Sequence, residues 1–95
     1  MTTLDQIAEK IIGKQELVIG PLAWTEAGKV QGLQIDRTRQ VTLTNGDGDP
    51  KETVDRLVSQ YERLFGRASH EVCREAVSGM LVNLQPSEIP SSLRA

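Results

Sequence analysis

The stretch from Asp49 to Phe65 constrains this chain most. Asp49 is placed to cap a helix, Pro50 to be its first residue, and Glu52 to complete the capping arrangement. Val54, Leu57, Val58, Tyr61, Leu64 and Phe65 then recur at helical spacing on one face, and Gly66 ends the run. A second helix follows, with Ser69 as its expected cap and Val72, Cys73, Ala76, Val77, Met80 and Leu81 as its apolar face. Gly79 lies inside it and weakens it by about 1 kcal/mol relative to Ala. Gly66-Arg67-Ala68 is a link short enough for an αα-hairpin. Two adjoining helices this amphipathic must cover their faces, and the rest of the chain has to supply the cover.

The N-terminal part reads as helical too. Thr3 with Gln6 three residues on resembles a capping box, and Leu4, Ile7, Ala8, Ile11 and Ile12 share one face, with Gly13 the expected stop. Leu17-Val18-Ile19 suits either a brief buried strand or further helix. Gly20-Pro21 then breaks the chain and starts a second helix, expected over Pro21 to Val30, with Leu22, Ala23, Ala27 and Val30 as its stripe. Leu33 and Ile35, then Val41 and Leu43, alternate with polar neighbours, Thr42 and Thr44 pointing outward. Asp36-Arg37-Thr38-Arg39 between them is a connection of hairpin length. A lone hairpin is marginal, so its apolar face must lie against helices. The expected fold is therefore α+β and helix-rich: two N-terminal helices, a central β-hairpin, and a C-terminal helical hairpin as scaffold. Residues 1–83 are expected to form one compact domain. Residues 84–95, with two prolines and three serines, are expected to be an irregular tail.

Composition bounds the function classes. Ninety-five residues, 38% hydrophobic and 25% charged, suit one globular domain. Net charge is −2, with five basic and six acidic side chains in residues 1–48 and six and seven in residues 49–95. Neither half carries the basic field that draws a protein onto phosphates, so nucleic acid and anionic membrane are disfavoured as partners. Cys73 is the single cysteine, and one thiol cannot make an internal disulfide. The N-terminus lacks the basic and apolar regions of a secretory signal, and no stretch approaches the roughly 20 apolar residues of a membrane span. The cytoplasm is the expected compartment.

Each chemical constellation has a duller competitor. Asn45, Asp47 and Asp49 alternate as in a calcium loop, but the sixth and twelfth places hold Pro50 and Arg56 instead of glycine and glutamate. A turn followed by a helix cap explains the same residues. His70 and Cys73 lie one helical turn apart with Glu71 and Glu75 nearby, yet no further histidine or cysteine exists to complete a zinc shell. Cys73 on the apolar stripe behaves as a small hydrophobe, and that buried, acidic setting also disfavours a reactive thiolate. Arg37-Thr38-Arg39 could be the wing of a winged helix, against the alternative of a solvated turn. No phosphate-loop spacing is present, and the single histidine leaves little for a catalytic triad. Trp24 falls beside its helix's apolar stripe, as a boundary core residue or as an interface anchor.

These readings lead to a non-catalytic protein-interaction or regulatory module without a cofactor, self-associating as a homodimer. Trp24, Tyr61, Phe65, Met80 and Leu81 are its candidate interface groups. A small-ligand or metal-binding accessory protein around His70 and Cys73, and a winged-helix-like DNA-binding protein, are the alternatives.

Overall fold

The computed structural model describes residues 3–43 and 49–94. Helix α1 runs Thr3–Ile19, α2 Leu22–Ala27, strand β1 Leu33–Ile35, β2 Val41–Leu43, α3 Pro50–Phe65 and α4 Arg67–Leu81. Two short 3-10 turns follow, at Pro86–Glu88 and Ser91–Leu93. The architecture is helix-rich α+β with a C-terminal helical pair, as the spacing of apolar residues requires. Residues 45 and 47, two members of the calcium-like trio, lie outside the described residues, as does Thr44.

The first helix passes straight through Gly13, contrary to the expected stop there. Ile7, Ala8, Ile11, Ile12 and Gln15 are all buried, so the face that packs continues beyond the glycine. That packing outweighs the roughly 0.5–1 kcal/mol penalty of a mid-helix glycine. The helix ends at Gly20, whose φ of 76° is the left-handed geometry a C-terminal stop needs. Leu17-Val18-Ile19 is accordingly helix, not a buried strand, and Leu17 and Val18 face solvent.

Helix α2 is shorter than its sequence pattern suggested. Its regular part stops at Ala27, and single turns carry the chain to Val30 and Leu33 through Val30 N to Ala27 O and Leu33 N to Val30 O. Gly32 sits at φ 91°, and a Cβ there would come within 2.9 Å of Thr53 Oγ1. Glycine at this position is what lets the start of the hairpin lie against α3. The strands pair antiparallel, Leu33 with Leu43, Gln34 with Thr42 and Ile35 with Val41. The Asp36 carboxylate organises the turn by accepting from Thr38 N, Thr38 Oγ1 and Gln40 N. Leu43 N donates to the buried Asp5 carboxylate at 3.0 Å, tying the hairpin to α1.

The third helix begins as expected, with the Asp49 side chain accepting from Lys51 N at 2.9 Å. Val54, Leu57, Val58 and Tyr61 enter the core, while Leu64 at the end of the stripe is exposed. The next helix starts earlier than predicted. Gly66 alone, at φ 90°, links α3 to α4, and Ser69 lies buried inside the first turn, its N–H bonded to Gly66 O. Ser69 is therefore no cap. Its carbonyl instead accepts from Gln15 Nε2 of α1 at 2.9 Å.

One core joins these elements. Helix α1 packs against α2, β2, α3 and α4. The C-terminal segment folds back as well: Leu93 and Pro90 are buried, and Asp55 of α3 accepts from Ser91 Oγ, Ser92 N and Ser92 Oγ. Among the described residues, no helix is long and apolar enough to cross a membrane.

Candidate functional site

The structure separates the two soft ligands that the sequence set one turn apart. Cys73 is fully buried, and its sulfur accepts from Gln15 Nε2 of α1 at 3.3 Å. Burial pushes its thiol up to about 11, the Gln15 donor opposing that rise and the Glu62 charge adding to it. Such a sulfur stays protonated near neutrality. His70 turns the other way. Its Nε2 meets the carbonyl of Ser92, which requires the proton on Nε2, and its Nδ1 lies 3.5 Å from the Glu62 carboxylate. One residue holds the α1–α4 seam and the other holds the C-terminal segment. Among the described residues, no group of three or more histidine, cysteine, aspartate or glutamate side chains is arranged to hold a metal ion.

The hairpin tip lies against helices. The Arg39 guanidinium sits 5.0 Å from the centroid of the Trp24 ring and bonds Glu16 at 2.8 Å. The Glu16 carboxyl is held below its ordinary value, first by the Trp24 indole N–H and then by Arg39. That indole nitrogen is buried and makes no well-formed hydrogen bond, so its effect on Glu16 is that of a nearby dipole. Trp24 is thus a half-buried platform between the tip and α1. Arg37 is exposed and carries no such contact.

The remaining candidate interface groups divide. Tyr61 offers nothing to a partner: it is wholly buried, with its hydroxyl donating to Ala23 O at 2.7 Å. Burial also raises its phenol above the usual range. It belongs in the core because a helix at this spacing turns position 61 inward with Val54, Leu57 and Val58. Phe65, Met80 and Leu81 are half-buried against the core edge.

The exposed apolar groups lie elsewhere. Leu17 is 79% exposed, Val18 61%, and Leu22 and Leu64 44% each; Val82, just past the end of α4, is 78% exposed and stands apart from them in sequence. The first three stand within six residues of one another, around the Gly20-Pro21 corner. Leu64 lies one turn beyond Tyr61, whose hydroxyl donates to Ala23 O at the start of α2. A scattered leucine on a surface signifies little, whereas a contiguous apolar patch is a candidate interaction surface. Sequence reasoning placed Leu22 and Leu64 on buried stripes and left Leu17 and Val18 open as strand or helix. The missing signal was the continuation of α1 past Gly13, which turns residues 17 and 18 outward.

Comparison with known protein families, with curated proteins and with solved structures returns no match to this chain.

Proposed function

We propose that this chain is a non-catalytic protein-interaction module that associates with itself. The observation that carries the reading is the exposure of Leu17, Val18 and Leu22 within six residues around the Gly20-Pro21 corner, together with Leu64 on α3, which packs against α2. Removing a leucine-sized side chain from water is worth about 1.5–3 kcal/mol, so a surface holding several is driven to find a cover. A second support is the character of the polar groups. The only thiol is buried and protonated, and the only imidazole is engaged by Ser92 and Glu62, so the side chains most suited to chemistry serve packing and docking.

Sedimentation velocity across a wide range of protein concentration tests this reading. The expected result is a concentration-dependent shift from monomer to dimer. The Leu17→Ser and Val18→Ser variants should weaken that shift while leaving the thermal melt of the monomer nearly unchanged, since exposed positions contribute within about 0.5 kcal/mol to stability. A monomer at every concentration would overturn self-association.

A further inference from the structure

A groove of about 910 Å³ runs between α1 and α4. The helices are antiparallel there: Gln15 of α1 reaches Ser69 and Cys73 at the start of α4, while Gln6 and Met80 line the opposite end. Gly13, Leu17, Ala76 and Met80 give the groove its apolar part. The groove is open beside Gly13, where a Cβ would meet nothing within 4 Å.

The charges beside the groove are sorted by wall. Some opposite charges close up elsewhere, as in Glu16–Arg39, Glu26–Lys29, Asp49–Lys51, Glu52–Arg56 and Glu71–Arg74. Glu9, Lys10 and Lys14 on the α1 wall and Glu75 on the α4 wall line the same groove, and none of them forms an ion pair among the described residues. One wall has a surplus of positive charge and the other carries a carboxylate, with apolar surface between. That pattern is complementary to itself when turned about a two-fold axis, which is the requirement for an isologous dimer interface.

We infer that the groove seats a second copy of this chain, its α4 wall against the α1 wall of the first. Glu75 of each copy then meets Lys10 and Lys14 of the other, and Leu17 and Met80 are covered beside them. The inference rests on the self-association reading above and adds the surface and its charge code. Leu17 belongs both to this groove and to the apolar end of the molecule, so the two surfaces are continuous.

Charge reversal tests the arrangement. Lys14→Glu and Glu75→Lys, each alone, convert attraction into repulsion at both symmetry-related contacts and should weaken dimerisation about tenfold or more. Mixing the two variants should restore association, now as a heterodimer visible by native mass spectrometry, because each reversed charge meets its complement. The Lys14→Glu/Glu75→Lys double variant should likewise recover as a homodimer. Thermal melts of the single variants serve as the folding control. If both single variants associate as tightly as the wild type and mixing brings no preference for the heterodimer, the dimer forms elsewhere and this inference fails while self-association stands. A wild-type chain that stays monomeric throughout removes both.

Discussion

Gln15 offers a test of how the core is put together. Its side chain is fully buried where α1 crosses α4, and its amide nitrogen donates to Ser69 O at 2.9 Å and to Cys73 Sγ at 3.3 Å. Its Oε1 is buried without a partner. One good hydrogen bond contributes about 1 kcal/mol net, the sulfur contact less, and an unsatisfied buried carbonyl costs about 1–3 kcal/mol. Replacement by methionine keeps the length, fills the same space with a flexible apolar chain, and removes the orphaned oxygen together with the donor. These effects nearly cancel, so Gln15→Met should lie within about 1 kcal/mol of the wild type. Gln15→Ala loses the same bonds and leaves a gap between two packed helices, for a net cost of about 2–3 kcal/mol. Urea titration followed by far-UV circular dichroism, with unchanged denaturant slope, measures both. A methionine variant as destabilised as the alanine one would refute the reasoning, because it would show that the amide's polar contacts outweigh both its volume and its orphaned oxygen.

Other perturbations probe separate links. Leu93→Ala should cost about 2–3 kcal/mol, the low end for a buried leucine because the terminal segment can settle inward, and loss of the same amount on truncation before Pro90 would show the segment is held as a unit; a melt indistinguishable from wild type would mean the docking contributes nothing. Gly13→Ala should stabilise the monomer by about 0.5–1 kcal/mol, since the residue is helical and its Cβ meets nothing, and a lowered melting temperature would contradict that placement. Cys73 should resist thiol reagents until the protein unfolds. Because its folded value, about 11, stands above the unfolded one, its contribution to stability is complete below the unfolded value and is lost as pH rises toward 11, so Cys73→Ala should flatten the alkaline limb of a stability–pH curve. Glu16 works in the other direction. Its lowered value gives a contribution present above the ordinary carboxylate range and lost as pH falls through the folded value, and Glu16→Gln should flatten the acid limb.

The regular elements were legible wherever local chemistry and tertiary packing agree. Asp49 and Pro50 started α3 as their types predict, and the alternation about Leu33–Ile35 and Val41–Leu43 gave the hairpin. Legibility failed where packing overruled a local signal. Gly13 reads as a stop because glycine favours helix ends, but the buried face on either side of it carries the helix to Gly20. Ser69 reads as a cap because serine favours that role, but Gly66 alone makes the link, which draws Ser69 into the first turn beneath Gln15. The candidate surface suffered from the same cause. Periodicity assigns Leu22 and Leu64 to apolar stripes, and only the relative placement of α1, α2 and α3 shows that these positions lie beyond the edge of the core. Tyr61 illustrates the converse, since large aromatic groups are equally suited to cores and interfaces and sequence alone does not choose between them.

The organisation of α1 ties these observations together. Ile7, Ile11 and Gln15 recur every four residues on the face that packs inward, and Gln15 stitches that face to α4. Lys10, Lys14 and Leu17, four and three residues apart, share the face that borders the groove. Some other parts of the surface close opposite charges into internal ion pairs, as at Glu16–Arg39 and Glu71–Arg74. Here Lys10 and Lys14 sit across an open channel from Glu75 without closing it, and the residue between the two lysines on that channel is a glycine. The lysines of one wall and the carboxylate of the other, joined by apolar surface, are the groups that the proposed two-fold contact pairs across a molecular boundary. The proposed self-association through α1 and α4 rests on that placement of charge more than on the amount of apolar surface exposed.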